Sequence, residues 1–318
     1  MPVKLAFILD PLDTIKTYKD SSFAMMEEAA RRGHQLFVIH QEQLLCRDSV
    51  ARAIAAPIRI TGDKEAWYEL GETSELPLSA YDAVVMRKDP PFDMEYVYST
   101  YLLELAETQG ALVVNRPRAV RDNNEKFSIT RFQQLTVPTL ITRLEKEIRA
   151  FLEIHGDIVV KPLDGMGGTS VFRLHRADYN IGVVIETVTH YGRRTVMAQR
   201  YIQEIVKGDK RIILIDGKPA PYALARIPKQ GETRGNLAAG ARGVAQPLSA
   251  RDEEIAHTVG ATLAAEGMLL VGLDVIGDYL TEINVTSPTG MREIMEQTGC
   301  NVAGLMIDAL EQRIRAKG

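Results

Sequence analysis

The stretch LLVGLDVIGDYLTEINV, residues 269–285, decides how the C-terminal part of the chain folds. Two apolar runs, 269–276 and 280–285, have the length of strands and lie on either side of a short connection that contains glycine and aspartate. They predict a hairpin of two antiparallel strands. A second hairpin is predicted before it, because Asp216-Gly217 is a strong tight-turn signal between two further apolar runs.

The polar residues of the later hairpin suggest a metal site. Glu282 and Asn284 stand two positions apart, so their side chains point to one face of the strand. With a three-residue connection, 277–279, Asp274 faces Glu282 and three oxygen ligands share that face, which suits Mg²⁺. With a two-residue connection, Asp274 faces Thr281 and the set is broken. A hairpin with a solvated polar face remains an alternative.

Two arginines of the earlier hairpin share a face. With a two-residue turn at Asp216-Gly217, Arg211 lies opposite Tyr222, and Arg226 lies four residues further along. At ~3.3 Å per residue, the two guanidinium groups start roughly 13 Å apart. Arginine binds carboxylates in a bidentate manner, so the pair is predicted to grip two ends of an elongated anion. Two surface arginines in ion pairs are the alternative.

A glycine-rich turn, DGMGGT at 164–169, follows a predicted strand that ends at Lys161. Gly165, Gly167 and Gly168 allow a backbone to approach a phosphate closely and to expose its N–H groups. An ordinary hairpin turn fits equally well. Neither the P-loop pattern nor a G-x-G-x-x-G after the first strand occurs, which disfavours P-loop and dinucleotide-binding folds.

The N-terminal third alternates predicted strands with helices. Strands at 3–9 and 35–40 flank a helix at 20–32, which forms a βαβ unit and implies parallel pairing. Further strands at 82–87 and 111–115 flank a helix at 93–109. We therefore expect a Rossmann-like parallel-sheet domain.

The remainder is predicted to be α+β. Its expected strands lie at 139–142, 157–161, 169–174 and 196–201, and its expected helices at 124–134, 144–155, 179–190, 250–266 and 302–315. These elements divide the chain into an N-terminal α/β domain, 1–122, a central domain, 123–202, and a C-terminal domain, 203–318. The segment 227–243 has four glycines and no hydrophobic period, which favours a mobile active-site loop over a linker.

The composition excludes several classes of protein. The 318 residues carry a formal net charge of −4, so the chain lacks the basic surplus typical of nucleic-acid binders. The two cysteines, Cys46 and Cys300, fit a reducing compartment better than a disulfide-stapled secreted domain. A run of about 18 apolar residues, as needed for a membrane span, does not occur. We expect a soluble cytoplasmic protein that binds neither nucleic acid nor membrane.

These features together resemble the ATP-grasp superfamily and, more closely, the bacterial glutathione synthetases. The resemblance covers essentially the whole chain. It rests on the strings DSSFAM (20–25), VMRKDPPFD (85–93), KPLDGMGG (161–168), RIP (226–228) with GETRGNLAAG (231–240), and GLDVIGD (272–278) with LTEINVTSP (280–288). It implies an ATP-grasp fold with an N-terminal Rossmann-like domain, a central lid domain and a C-terminal antiparallel-sheet catalytic domain.

The resemblance also implies an activity. The family joins γ-glutamylcysteine to glycine and converts ATP to ADP and phosphate through an acyl phosphate, with Mg²⁺, or Mn²⁺ as a possible substitute. It further implies a homo-oligomer, a tetramer in this family. A loop that closes over the site would protect the acyl phosphate from water.

Residue by residue, the resemblance implies four groups of site residues. Catalysis is assigned to Lys161, Arg211 and Arg226, and the metal site to Asp274, Glu282 and Asn284. ATP is expected to contact Lys126, Lys161, Gly165, Gly167, Gly168, Gln199, Tyr201, Ile202, Asp209 and Arg211. The peptide substrate is expected to contact Lys19, Ser21, Arg226, Gly235, Asn236, Ser287 and Arg292.

Two other hypotheses stay open on the sequence alone. One is a different ATP-grasp carboxylate–amine ligase, since substrate identity rests on the resemblance and on no derived pocket shape. The other is a non-catalytic nucleotide-binding module. The joint presence of Lys126, Lys161 and the three metal-site residues disfavours the second, because a scaffold has no need of them together.

Overall fold

The computed structural model describes residues 2–63, 65–231, 235, 237 and 240–317. Its first third contains eight strands and three α-helices. The strands are β1 (Lys4–Leu9), β2 (Gln35–His40), β3 (Leu44–Arg47), β4 (Val50–Ile60), β5 (Tyr68–Leu70), β6 (Ser74–Pro77), β7 (Ala83–Met86) and β8 (Val113–Val114). The helices are α1 (Ser21–Arg31), α2 (Met94–Thr108) and α3 (Pro117–Asp122).

The N-terminal sheet has a parallel centre and an antiparallel extension. Strands β2, β1, β7 and β8 are neighbours in this order and run parallel, which confirms the predicted βαβ unit. Strand β4 pairs antiparallel with β2, and β3, β5 and β6 pair with β4. The sequence analysis assigned none of these four added strands. The longest, β4, reads VARAIAAPIRI, and its alanines and proline have weak strand propensity.

The middle of the chain forms a separate antiparallel sheet. Its strands are β9 (Thr139–Thr142), β10 (Asp157–Pro162), β11 (Phe172–His175) and β12 (Val196–Arg200), and its helices are α4 (Glu145–His155) and α5 (Ile181–Thr189). These elements lie close to their predicted positions. The helix predicted near 124–134 is instead a 3₁₀ helix at Phe127–Leu135, interrupted by non-helical dihedral angles at Phe132.

The C-terminal part is a five-stranded antiparallel sheet in the order β15, β14, β13, β16, β17. The strands are β13 (Asp209–Ile215), β14 (Lys218–Ile227), β15 (Arg242–Pro247), β16 (Leu270–Ile276) and β17 (Tyr279–Asn284). The helices are α6 (Ala250–Ala265), α7 (Met291–Thr298) and α8 (Val302–Lys317). Both predicted hairpins are present. The strand β15 is an addition, because its residues 242–243 had been counted as loop.

The buried apolar residues form clusters that differ in how they join the sheets. One cluster links Ile8 and Val84 of the N-terminal sheet to Leu273 and Ile283 of the C-terminal sheet. The middle sheet instead packs on α4 and α5 around a small core of its own, centred on Ile148. The three sheets thus occupy successive parts of the chain, and the domain boundaries at 122 and 202 stay a prediction. None of the helices in the described ranges is long and apolar enough to cross a membrane.

A single buried side chain joins the N-terminal sheet to the C-terminal sheet. Asn115, directly after β8, donates to the carbonyl oxygens of Leu270 at 2.7 Å and Val285 at 3.0 Å. Its amide oxygen accepts the backbone N–H groups of Leu269 at 2.7 Å and Leu270 at 2.9 Å. Four hydrogen bonds therefore connect the end of β8 to the ends of β16 and β17.

We expect Asn115→Ala to destabilise the protein by about 3–5 kcal/mol, because it leaves several buried backbone groups without partners. The measurement is the free energy of unfolding in urea. Asn180→Ala is the matched control, since Asn180 is exposed and its side chain makes no capping hydrogen bond. A loss of less than about 1 kcal/mol in Asn115→Ala would show that this contact does not hold the two sheets together.

Candidate active site

A cavity of about 480 Å³ lies where the three sheets meet. Most of the residues that the sequence analysis singled out line it. These are Lys19, Lys126, Lys161, Gly165, Gly167, Gly168, Gln199, Tyr201, Ile202, Asp209, Arg211, Arg226, Gly235, Asp274, Glu282, Asn284 and Ser287. The tertiary structure therefore brings together residues that are separated by more than two hundred positions in the sequence.

The two arginines converge on one carboxylate instead of gripping two ends of an anion. Arg211 Nε and Nη2 lie 2.5 and 3.0 Å from the two carboxylate oxygens of Asp274. Arg226 Nη2 lies 2.9 Å from Asp274 Oδ2. The predicted separation was wrong because the β13–β14 register shifts beyond Ile212, which places Arg211 opposite Leu224. Arg226 is then two residues along the same face.

This cluster is buried and its charges are mutually compensating. Burial alone raises the pKa of Asp274, but Arg211 and Arg226 outweigh it and hold that pKa well below its usual range. Burial lowers the pKa of Arg226, yet Asp209 and Asp274 raise it above its ordinary value. Asp209 accepts from Arg226 Nη2 at 2.6 Å, and burial raises its pKa to about 6. Both arginines therefore remain charged inside the cavity wall.

The metal-site hairpin reaches the predicted pairing by a different route. Its connection has two residues, Gly277 and Asp278, because Ile276 pairs with Tyr279. That turn alone would place Asp274 opposite Thr281. A β-bulge shifts the register between Asp274 and Val275, and Asp274 consequently pairs with Glu282. The predicted three-residue connection is wrong, whereas the predicted facing pair is confirmed.

Thr281 occupies the bulge and links it to a lysine. Its hydroxyl donates to the carbonyl oxygen of Asp274 at 3.1 Å. Its own carbonyl oxygen accepts from Lys161 Nζ at 3.3 Å. Burial lowers the pKa of Lys161, although Glu282 acts in the opposite direction. The bulge therefore sets both the facing carboxylates and the position of a buried lysine.

Lys126 connects the same hairpin to the glycine-rich turn. Its ammonium group lies 2.9 Å from Glu282 Oε1 and 2.5 Å from the carbonyl oxygen of Gly165. Burial lowers the pKa of Lys126, but Glu282 outweighs burial and the net pKa is raised. Gly167 and Gly168 have φ angles of 63° and 80°, which favour glycine. The turn is therefore held open beside two lysines.

Sequence reasoning missed Glu125, which fastens this part of the site. Its Oε1 accepts the hydroxyl of Thr286 at 2.8 Å and the N–H groups of Val285 and Thr286 at 3.1 and 3.2 Å. Its carbonyl oxygen accepts the N–H of Ile283 at 2.8 Å. The neighbouring Lys126 is thereby fixed against β17. A lone glutamate next to a lysine carries no motif, so only its partners reveal this role.

On the far side of the lysines, the cavity is bounded by the middle sheet. Gln199 is buried and donates to Thr139 Oγ1 at 3.1 Å. The Arg173 guanidinium lies 3.7 Å from the centre of the Tyr201 ring. Ile202 follows directly and is also buried. This end of the cavity offers an apolar surface with amide and backbone polar groups.

The predicted loop 227–243 is shorter than expected and only partly described. Ile227 belongs to β14, and Arg242 and Gly243 belong to β15. Gly235 packs so closely that a Cβ atom there would lie 2.6 Å from the Asp209 Cβ. Asn236 lies outside the described residues, as does most of the remaining GETRGNLAAG segment. The predicted mobility of the loop stays a prediction.

Two predicted substrate residues have other partners. Ser21 is fully buried, and its hydroxyl accepts the backbone N–H of Met291 at 3.2 Å. Arg292 donates to the Thr17 carbonyl oxygen at 3.0 Å and forms an ion pair with Glu27 at 3.1 Å. Neither residue lines the cavity. The structure thus places both in the support of the cavity wall, and direct contact with a substrate stays untested.

The donors at the hairpin fit a hard divalent cation such as Mg²⁺. Glu282 and Asn284 both line the cavity, and Asn284 donates its amide nitrogen to the Gly272 carbonyl oxygen, which directs the amide oxygen elsewhere. Asp274 differs, because both its oxygens are bound by arginines. The described residues contain no group of three or more His, Cys, Asp and Glu side chains arranged for a metal. Glu282 and Asn284 are therefore the better ligands.

Comparison with known proteins identifies two matching family models. The prokaryotic glutathione synthetase N-terminal domain matches residues 3–121, and the prokaryotic glutathione synthetase ATP-grasp domain matches residues 125–299. The chain is similar to the glutathione synthetase of Nitrosomonas europaea, with 64% identity over 99% of each chain. It is also similar to that of Pseudomonas aeruginosa, with 54% identity over 100% of each chain.

Solved structures with low sequence identity share the fold. The crystal structure of D-cycloserine synthetase DcsG has a TM-score of 0.70 at 16% identity and covers 98% of this chain and 99% of its own. The ATP-grasp ligase PsnB, complexed with a precursor peptide and AMPPNP, has a TM-score of 0.63 at 18% identity, with 98% of each chain covered. Both likenesses confirm the predicted ATP-grasp fold.

We expect Asp274→Asn to lower the free energy of unfolding by about 3–5 kcal/mol, since it leaves two buried guanidinium groups without a charged partner. Urea unfolding measures the effect. Asp278→Asn in the same hairpin is the control, because Asp278 is exposed. If the two variants unfold at the same urea concentration, the arginines have found other partners and the cluster does not depend on Asp274.

Proposed function

The chain belongs to the prokaryotic glutathione synthetase family, and from this premise we propose how its residues carry out the ATP-dependent formation of glutathione. The enzyme is a ligase that joins γ-glutamylcysteine to glycine. A carboxylate does not acylate an amine at a useful rate, because its leaving group is poor. The energy of ATP must therefore activate the carboxylate before the amide bond forms.

The proposed reaction has two steps. The cysteinyl carboxylate attacks the γ-phosphorus of ATP, the bond to the β-phosphate bridge breaks, and an acyl phosphate and ADP result. The glycine amine then attacks the acyl carbon, loses a proton, and expels inorganic phosphate. Transfer of a phosphoryl group between two anions depends on positive charge more than on a nucleophilic side chain.

The cations around the cavity support this chemistry. Lys126 and Lys161 are placed to bind ATP phosphates, with the backbone N–H groups of the turn at Gly165, Gly167 and Gly168. Arg211 and Arg226 face the same space from β13 and β14, where they would stabilise the charge of the transferred phosphoryl group. Because both arginines are held by Asp274, they are positioned before a substrate arrives.

The remaining cavity residues are assigned to the two ends of the substrates. Gln199, Tyr201 and Ile202 would hold the adenine, and Asp209 would border the nucleotide. Lys19, Ser287, Gly235 and Asn236 are assigned to the peptide and its covering loop, with Ser21 and Arg292 acting through the elements that they support. Glu282 and Asn284, with Asp274 beside them, would hold Mg²⁺, which would neutralise phosphate charge when bound; Mn²⁺ is a possible substitute.

One observation carries the proposal most strongly, namely that Lys126, Lys161, Arg211 and Arg226 share one cavity with Glu282 and Asn284. The test is ADP release by the purified protein with Mg-ATP, and with γ-glutamylcysteine and glycine added singly and together. ADP release only with both substrates is expected. Release with a different amino-acid pair would favour another ATP-grasp ligase, and silence under all conditions would favour a non-catalytic module.

Two further expectations stay predictions. The family suggests a homotetramer, which size-exclusion chromatography with light scattering can test. A cytoplasmic location is supported by the two free cysteines, Cys46 and Cys300, and by a reaction that consumes ATP.

We expect Glu282→Gln to reduce kcat by about 100-fold or more while the protein stays folded, because the variant loses an anionic metal ligand and the partner of Lys126. The measurement is coupled ADP release across a Mg²⁺ titration, with circular dichroism as the check on folding. Exposed Glu72→Gln is the control. Turnover within about twofold of wild type in Glu282→Gln would remove this residue from the metal site.

A further inference from the structure

Glu293, in the first turn of α7, is a carboxylate without a partner that lines the active-site cavity. Thr14, Lys16, Lys19 and Asp20 line the same part of the wall from the N-terminal unit. Within the described ranges, Glu293 Oε2 is buried and accepts no hydrogen bond. A buried charged oxygen without a donor is costly, so such groups are usually completed by a ligand.

The position of Glu293 is fixed by its neighbours. The preceding Arg292 is held by Thr17 and Glu27, and its guanidinium lies 4.8 Å from the centre of the Phe23 ring. Met291 N–H donates to Ser21. The first turn of α7 is therefore clamped against α1. The Glu293 carboxylate cannot turn away from the cavity without breaking these contacts, which makes it a preorganised group.

The charge beside Glu293 narrows the kind of ligand. Burial raises the pKa of the Glu293 carboxyl, and the Lys19 ammonium group acts in the opposite direction. The two groups nevertheless form no ion pair in the part of the chain that the structure describes. The wall thus presents an anion and a cation side by side. This arrangement complements the head group of an α-amino acid, which carries an ammonium group and a carboxylate.

The other end of the same wall leads to the arginine pair. Thr289, four residues before Glu293, accepts through its carbonyl oxygen from Arg211 Nη1 at 3.4 Å. A substrate that extends from Arg211 along this loop would therefore reach α7. In γ-glutamylcysteine, the reacting cysteinyl carboxylate and the amino-acid head group of the glutamyl residue lie at opposite ends, as this wall requires.

We infer that Glu293 binds the α-ammonium group of the γ-glutamyl residue and thereby selects a substrate with a free amino-acid head group. The inference rests on the proposed function, since it places γ-glutamylcysteine in this cavity. Lys19 would bind the adjacent α-carboxylate. A purely structural role at the helix N-terminus is the competing explanation, and it predicts no dependence on the substrate amine.

The experiment compares γ-glutamylcysteine with glutarylcysteine, which keeps the distal carboxylate and lacks the amine. Wild type is expected to prefer γ-glutamylcysteine by about 10- to 100-fold in kcat/KM, the value of one charge-assisted hydrogen bond. Glu293→Gln is expected to lose most of this preference through a higher KM for γ-glutamylcysteine. Its KM values for ATP and glycine are expected to stay within about twofold of wild type.

A second analogue separates the two head-group contacts. 4-Aminobutyrylcysteine keeps the amine and lacks the distal carboxylate, so Glu293→Gln should leave the discrimination against it unchanged. Glu296→Gln, on the exposed side of the same helix, should behave as wild type with all three compounds.

Two outcomes overturn the inference while leaving the proposed function intact. Either wild type uses glutarylcysteine as well as γ-glutamylcysteine, or Glu293→Gln keeps the full preference. The wild-type comparison remains decisive if Glu293→Gln does not fold. Absence of ADP release with γ-glutamylcysteine and glycine would instead reject the proposed function itself.

Discussion

The site depends on one buried carboxylate that holds two guanidinium groups. Without Asp274, Arg211 and Arg226 would repel each other and would be expensive to bury. With it, they lie on adjacent strands of one sheet and keep their charge beside a cavity that must accept anions. The same residue pairs with Glu282 across the next strand, so one position links the arginine cluster to the metal side. The carboxylate therefore organises the electrostatics of the cavity.

The cavity exists because three sheets meet, and each junction is made by polar contacts. Asn115 fastens the N-terminal sheet to the C-terminal sheet, and the buried Arg87 adds hydrogen bonds to Ser22 and to the Pro288 carbonyl oxygen. The middle sheet has its own apolar core and contacts the C-terminal sheet through Lys126 and Lys161. The lysines assigned to phosphate binding are thus also the joints to the middle sheet, so nucleotide binding and the placement of that sheet are physically coupled.

Much of the fold followed from local pattern, but register did not. Period and turn signals located β1, α1, β2 and both C-terminal hairpins, since these depend on neighbouring residues. The facing of Arg211 was missed and the connection before β17 was miscounted, because each strand pair contains a register shift. Such a shift answers to the packing of both faces of a strand. It leaves no turn signature, so counting from the turn gives the wrong partner.

The sequence by itself determined the element types, the ATP-grasp resemblance, and nearly all the residue types that line the cavity. Only the tertiary structure decided which of them face inward. Ser21 and Arg292 are spent on holding α7 against α1, whereas Glu125 and Glu293, which carry no motif, lie at the cavity wall. The physical reason is that a side chain's direction and its hydrogen-bond partners are set by segments far away in the sequence. Local pattern fixes what a residue can do, and long-range packing fixes what it contacts.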